Sequence, residues 1–92
     1  MTDSLWKDQV ALVSGAGSDS GIGFAIARRL GREGVRVLLS ASSARIQQRV
    51  AELQSEGIDA RGMPADLTDE TQVAALSAWA HAQFGRIDIL VN

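Results

Sequence analysis

Ninety-two residues make at most one small domain with a modest core, since a chain of this size buries only about 60–65% of its unfolded surface. Apolar residues are 46% and charged residues 22%, ordinary for a globular protein, and a net charge of −2 gives no electrostatic case for nucleic acid or an anionic membrane surface. The absence of cysteine removes any disulfide framework or thiolate site and fits a cytoplasmic location, no apolar run approaches a membrane span, and Met1-Thr2-Asp3-Ser4 lacks the basic start and apolar core of a signal peptide.

Residues 1–8 read as a polar lead-in apart from Leu5 and Trp6, with Trp6 packing at the base of the first strand. That strand is Gln9–Ser14. A glycine-rich loop follows, and then a helix over Gly21–Glu33, with Ile22, Ala25, Ile26, Arg29 and Leu30 at helical spacing. Gly34 is placed to end it. Val35–Ser40 is β-branched and almost continuously apolar, as a strand covered on both faces should be. A second helix spans Ser43–Glu56 with Ile46, Val50 and Leu53 as its inward stripe, and Gly57 closes it. Ala60–Ala65 is a weaker strand. Pro64 cannot donate to a ladder, which predicts a sheet edge. Thr68 reads as the N-cap of a third helix, with Asp69 and Glu70 in its first turn. Val73, Leu76, Ala80 and Phe84 form its inward face beside Trp79. Gly85 ends that helix, and Ile87–Val91 is the last strand.

This β-α-β-α-β-α-β order with short connections predicts an α/β layer fold, a Rossmann-like parallel sheet with helices on both faces. With the third strand at an edge, the strand order is 3-2-1-4. Right-handed crossovers then put the first two helices on one face and the third on the other. The switch point falls between strands 1 and 4, at the carboxyl end, where such sheets bind ligands.

The loop at that point is Ser14-Gly15-Ala16-Gly17-Ser18-Asp19-Ser20-Gly21-Ile22-Gly23. Strand, glycine loop and helix form the context in which glycines mean dinucleotide binding. Glycines let backbone approach a pyrophosphate and close the helix onto the strand, and the helix N-terminus supplies N–H groups and positive potential. Gly21 and Gly23 fit the last two glycines of a Gly-x-x-x-Gly-x-Gly pattern. The first is Gly17, or Gly15 with two residues inserted. Gly15 is preferred because it directly closes the strand. No Gly-Lys-Ser/Thr follows, so the loop is not a P-loop. Asp19 is an anion close to the phosphate position and must point outward or cap a helix N–H.

Four places together carry a resemblance to the N-terminal half of a short-chain dehydrogenase/reductase: the Ser14–Gly23 loop, Ser40-Ala41-Ser42-Ser43, Ala65-Asp66-Leu67-Thr68, and Ile89-Leu90-Val91-Asn92. The stretch after strand 2 is similar to members that reduce oxoacyl carrier proteins. The resemblance implies one dinucleotide-binding domain over residues 1–92, cut after strand 4. It implies cofactor contacts from Gly15, Ser20, Gly21, Ile22, Gly23, Ser42, Arg45, Asp66, Leu67 and Asn92. Asp66 would accept from the adenine amino group, and Asn92 would line the crevice. The family's catalytic Ser and Tyr-x-x-x-Lys have no counterpart, since the chain has no Tyr and its only Lys is Lys7.

An NAD site wants an acid after strand 2 for the ribose hydroxyls. Ser40 through Ala44 contain none, whereas Ser42 and Arg45 suit a 2′-phosphate, so NADP(H) is expected over NAD(H). Ser42 or Ser43 also suits a helix cap. The lone His81 reads as a complement to the negative end of its helix, and no metal site is arguable. The reading is an oxidoreductase moving hydride between nicotinamide and a small carbonyl or alcohol. It would be a homo-oligomer through regions outside these residues, with no nucleic-acid or membrane partner. The 92 residues alone would be inactive. The alternatives are a non-catalytic nucleotide-binding or regulatory module of the same fold and, disfavoured by the missing acid, a methyltransferase using S-adenosylmethionine.

Overall fold

The computed structural model describes residues 5–92; the polar start at residues 1–4 lies outside them. The elements are β1 (Val10–Val13), α1 (Ile22–Arg32), β2 (Arg36–Ala41), α2 (Ile46–Ser55), β3 (Ala60–Pro64), α3 (Glu70–Phe84) and β4 (Ile89–Val91). The four strands form one parallel sheet in the order β3-β2-β1-β4, as the sequence predicts. β3 is an edge that pairs only with β2. Pro64 stands opposite Ala41 at its last rung, where a missing N–H costs least, and the Ala65 N–H restores the ladder to the Ala41 carbonyl at 2.8 Å.

The sheet buries two faces, because side chains alternate along each strand. Ala11, Val13, Val37 and Leu39 point to the side covered by α1 and α2, where they meet Phe24, Ala27, Ile46, Val50 and Leu53. Val10, Leu12 and Leu38 point to the other side and meet Leu76 and Ala80 of α3. β1 and most of β2 are therefore buried on both faces. This accounts for their continuous apolarity.

Several local expectations are corrected. The inward stripe of α1 is not Ile22, Ala25 and Arg29, which are exposed, but Phe24 and Ala27. Arg28, Arg29 and Arg32 mark one polar side of the helix, but the apolar arc on the other side is wide, so periodicity alone does not say which part of it meets the sheet. Small residues decide it. At Gly23 a Cβ would sit 2.8 Å from the Gly15 carbonyl oxygen, and at Gly31 one would sit 2.5 Å from an Ile58 methyl. With Ala27 between them, the row Gly23, Ala27, Gly31 lets α1 lie close against the sheet and the Ile58 turn. α2 begins at Ile46, with Arg45 as an N-cap lacking a side-chain cap bond. Its stripe Ile46, Val50 and Leu53 is buried as predicted, and Arg49 is buried with it. The cap of α3 is Asp69, whose carboxylate accepts the Thr71 N–H at 2.9 Å, and not Thr68, which donates to Asp66. Val73 is 40% exposed, since it lies over a groove between α3 and β4 that no described residue fills. Trp6 sits in the turn before β1 and stays 44% exposed.

Candidate functional site

At the carboxyl end of the sheet lies a cleft of about 380 Å³, walled by the glycine loop, the end of β2 and the step after β3. Ser14 and Gly15 close β1, and Gly15 turns the chain with φ +67°, a conformation that glycine adopts without penalty. Ala16 is buried, and its N–H donates to the Ser40 carbonyl at 3.1 Å. A Cβ on Gly17 would come within 2.9 Å of the Ala41 Cβ, so the loop lies flat across the end of β2. Gly23 then stacks the first turn of α1 onto the Ser14 and Gly15 carbonyls.

Two serines tighten the inserted part of the loop. The Ser18 and Ser20 hydroxyls lie 3.2 Å apart, and the Gly21 N–H donates to the Ser18 carbonyl at 3.2 Å. Gly21, the N-cap of α1, offers no side-chain bond, and no acid stands in that helix's first turn. The start of α1 thus keeps its N–H groups and positive dipole end available to an anion, in contrast to the start of α3, which Asp69 caps. Asp19 points outward as expected. Its carboxylate pairs with Arg49 of α2 at 3.6 Å.

At the end of β2, Ser42 and Arg45 line the cleft, and Arg45 makes no ion pair among the described residues. Ser43 Oγ accepts the Arg45 N–H at 3.3 Å, a local turn bond and not a helix cap. Ser40 is 1% exposed and its hydroxyl has no partner among the described residues. Ser40 shares the face of Leu38 but stands at the cleft end, where an apolar residue would otherwise continue the core.

Asp66 is exposed and outside the cleft lining. Its Oδ1 accepts the Thr68 hydroxyl at 2.6 Å and the Thr68 N–H at 2.9 Å, and these bonds hold the carboxyl below its ordinary value of 3.8. Oδ2 keeps no hydrogen bond among the described residues. Leu67 lines both this cleft and a second, more apolar groove of about 520 Å³ between α3 and β4. Asn92 lines the second groove, and its Oδ1 accepts the Ser14 hydroxyl at 2.8 Å. The two spaces meet at Ser14 and Leu67. Of the predicted site residues, Gly15, Ser42, Arg45 and Leu67 share the first cleft. Ser20, Gly21, Ile22 and Gly23 stand beside it on the loop and at the start of α1. The cleft is also lined by Gly17, the alternative first glycine of the motif, and by Ser14, Ser18, Ser40, Ala41, Ser43 and Ala65, which sequence reasoning did not single out as site residues.

His81 sits in the last turn of α3 with Nδ1 2.9 Å from the Ser77 carbonyl. Among the described residues no group of three or more potential ligands could hold a metal, and no helix is long and apolar enough to cross a membrane.

Comparison with known proteins fits this architecture. The family model described as short chain dehydrogenase matches residues 9–92. A putative ketoacyl reductase of granaticin polyketide synthesis from Streptomyces violaceoruber is 49% identical over 84 residues, covering 90% of this chain and 30% of that protein. The carbonyl reductase [NADPH] 1 of Sus scrofa is 42% identical over 86 residues, covering 91% of this chain and 29% of that one. The crystal structure of an actinorhodin polyketide ketoreductase variant with NADPH superposes with TM-score 0.88 at 39% identity, over 97% of this chain and 34% of that chain. A short-chain dehydrogenase/reductase from Burkholderia phymatum, in complex with NAD, gives 0.86 at 28% identity, over 98% and 31%. The chain thus spans about one third of the length of the relatives it matches. With the matched family model, the shared β3-β2-β1-β4 sheet and the glycine loop at its switch point, the chain belongs to the short-chain dehydrogenase/reductase family.

Proposed function

We propose that this chain is the cofactor-binding third of an NADP(H)-dependent oxidoreductase acting on a small carbonyl or alcohol. The observation that carries the reading is the wall of the cleft after β2. It offers the Ser42 and Ser43 hydroxyls and Arg45, which makes no ion pair among the described residues, and no Asp or Glu. An acid there would accept from the ribose hydroxyls of NAD and repel a 2′-phosphate. Relatives solved with NADPH and with NAD both exist, so the preference is argued from these residues and not from kinship.

The residues fit a dinucleotide on structural grounds. The loop is drawn so close that Gly17 and Gly23 leave no room for a Cβ, α1 begins uncapped, and the buried Ser40 hydroxyl lacks a partner beside the cleft. Gly15, Ser20, Gly21, Ile22 and Gly23 would hold the pyrophosphate and its neighbourhood. Ser42 and Arg45 would take the 2′-phosphate. The free Oδ2 of Asp66 and the backbone at Leu67 would meet the adenine, and Asn92 would flank the crevice from β4. When bound, the nicotinamide supplies the hydride chemistry, and the protein supplies binding and orientation. The proton donor of the reaction, a tyrosine aided by lysine and serine, belongs by family resemblance to sequence outside these residues. A cytoplasmic location with no nucleic-acid or membrane partner completes the proposal, supported by the net charge of −2 and the lack of cysteine, and homo-oligomerisation is carried over from the family resemblance alone.

A hydrogen bond to a charged group contributes roughly 1.5–3 kcal/mol, so one such bond favours NADPH by about ten- to a hundredfold. Titration of the complete protein with NADPH and NADH, repeated with Ser42→Asp, tests this. NADPH is expected to bind more tightly, and Ser42→Asp to weaken it selectively. Tighter NADH binding by the unmodified protein, or no loss in the variant, would sink the assignment.

A further inference from the structure

The glycine loop of this chain carries an acid, and the structure shows what becomes of it. Ser18 lines the cleft, but the next residue, Asp19, turns away from it and places Oδ2 3.6 Å from Nη1 of Arg49. Arg49 is built for this position. It lies in α2 between the core residues Ile46, Val50 and Leu53, and it is only 8% exposed. Its guanidinium stands 5.7 Å from the centroid of the Phe24 ring, and Nη2 is held by Glu52 at 2.6 Å and faces Gln48 Oε1 at 3.4 Å. Phe24 follows Gly23 directly, so the same ring anchors the start of α1 and one face of the guanidinium.

Asp19 is largely exposed, and a pair with so exposed a partner adds little to stability. Its consequence is electrostatic. An unpaired carboxylate at the tip of an anion-binding loop repels a pyrophosphate, and it is also free to cap the N–H groups that α1 offers at its open end. Both effects compete with an anionic ligand.

We propose that Arg49 is a positioning residue for the glycine loop: by pairing with Asp19 it holds the loop's only acid on the α2 side, so that the loop and α1 present N–H groups to a dinucleotide pyrophosphate. The inference rests on the cofactor-binding reading and adds to it a residue from outside the loop.

The test compares NADPH binding by the complete protein, followed by NADPH fluorescence at low and high salt, in the wild type, Arg49→Met, Asp19→Asn and the double variant. Methionine keeps aliphatic packing on Phe24, and Arg49→Gln is a second variant with the same prediction. Loss of Arg49 should weaken NADPH by roughly tenfold at low salt, and less at high salt as screening grows. Adding Asp19→Asn should restore affinity to within about threefold of wild type, because the harm comes from the freed carboxylate. Asp19→Asn alone should leave affinity within about threefold and the melting temperature unchanged. An unaltered affinity in Arg49→Met and Arg49→Gln would overturn the proposal. So would a loss that Asp19→Asn does not relieve, since that outcome assigns Arg49 to packing on Phe24. If the wild type bound neither NADPH nor NADH, the cofactor reading would fall and this proposal with it, an outcome visible before any variant is compared.

Discussion

Gly21 and Gly23 stand two residues apart, and the structure gives them different reasons to be glycine. An ideal Cβ on Gly23 would meet Gly15 O at 2.8 Å, Gly15 C at 3.1 Å and Ser14 O at 3.2 Å. The first contact is about 0.6 Å inside the 3.4 Å where ordinary contact begins. All three neighbours are backbone atoms, and that backbone is tied down. The Ser14 N–H donates to the Val91 carbonyl at 2.9 Å and the Ala16 N–H to the Ser40 carbonyl at 3.1 Å. Gly23→Ala must therefore lift α1 off the sheet or break the ladder. Overpacking of this kind costs about 1–3 kcal/mol, offset by at most about 1 kcal/mol of helix propensity. A clash against tied-down backbone belongs in the upper half of that range, so the net loss is about 1–2 kcal/mol, which lowers the melting temperature by roughly 2–8 °C in a protein of about 150–250 residues. On Gly21 the nearest atoms, Ser18 Cβ and O, lie at 3.4 Å, and its φ of −85° and ψ of 160° suit any residue. Gly21→Ala should change stability by no more than about 0.5 kcal/mol, yet on the proposed reading, in which the pyrophosphate lies against the Gly21 backbone, the added methyl group would hinder its approach. Thermal melts and NADPH titrations of the two variants in the complete protein separate the roles. Gly23→Ala should lose stability, and Gly21→Ala should keep stability and lose affinity. An unchanged melt for Gly23→Ala, or unchanged affinity for Gly21→Ala, would refute the steric argument.

Asp69→Ala should destabilise by about 1 kcal/mol through loss of the α3 cap, measured by chemical denaturation, whereas Thr68→Ala should spare that cap. The Asp88 carboxyl is held below its ordinary value of 3.8, first by the Arg86 guanidinium and then by the Val10 N–H. A depressed folded-state value contributes stability above the unfolded pKa and loses it as pH falls through the folded one. Acid denaturation should therefore steepen below the ordinary carboxylate range and flatten in Asp88→Asn, as read from melts across pH. Residues 1–92 made alone should associate or melt without cooperativity, because Leu90 is 67% exposed on the open edge strand β4 and Val73 and Leu67 leave an apolar groove uncovered; a monodisperse monomer with a sharp melt by sedimentation and calorimetry would contradict this.

The sheet was legible because β1 and β2 are apolar on both faces and Pro64 marks an edge. The glycine loop, Ser40-Ala41-Ser42-Ser43, the step at Ala65-Asp66-Leu67-Thr68 and Ile89-Leu90-Val91-Asn92 then carried the resemblance that the family model bears out. Apolar periodicity separated the arginine side of α1 from the rest but did not centre its inward face, since Ile22, Ile26, Leu30, Ala27 and Phe24 spread over a wide arc of which only Phe24 and Ala27 are buried. The small residues Gly23, Ala27 and Gly31 held the answer at four-residue spacing. Thr68 and Asp69 are both good caps, and only the Asp66 turn, which takes the Thr68 hydroxyl, decides between them. The cleft lining was legible at Gly15, Ser42, Arg45 and Leu67. Ser40 was not, because a serine in a strand gives no local sign that its hydroxyl lacks a partner. Arg49 was not, because a cation between core positions of an amphipathic helix normally reads as solvated, and its burial depends on Phe24 and Asp19 from elsewhere in the chain.

The central claim is that the cleft at the carboxyl end of the sheet binds the dinucleotide. Backbone hydrogen exchange of the complete protein with and without saturating NADPH tests it most directly. Slowed exchange confined, within these residues, to the loop from Ser14 to Phe24, the β2 end from Ser40 to Arg45 and the step from Ala65 to Leu67 is the predicted result. Protection that spares the loop, or protection centred on the far, amino end of the sheet, would contradict the account.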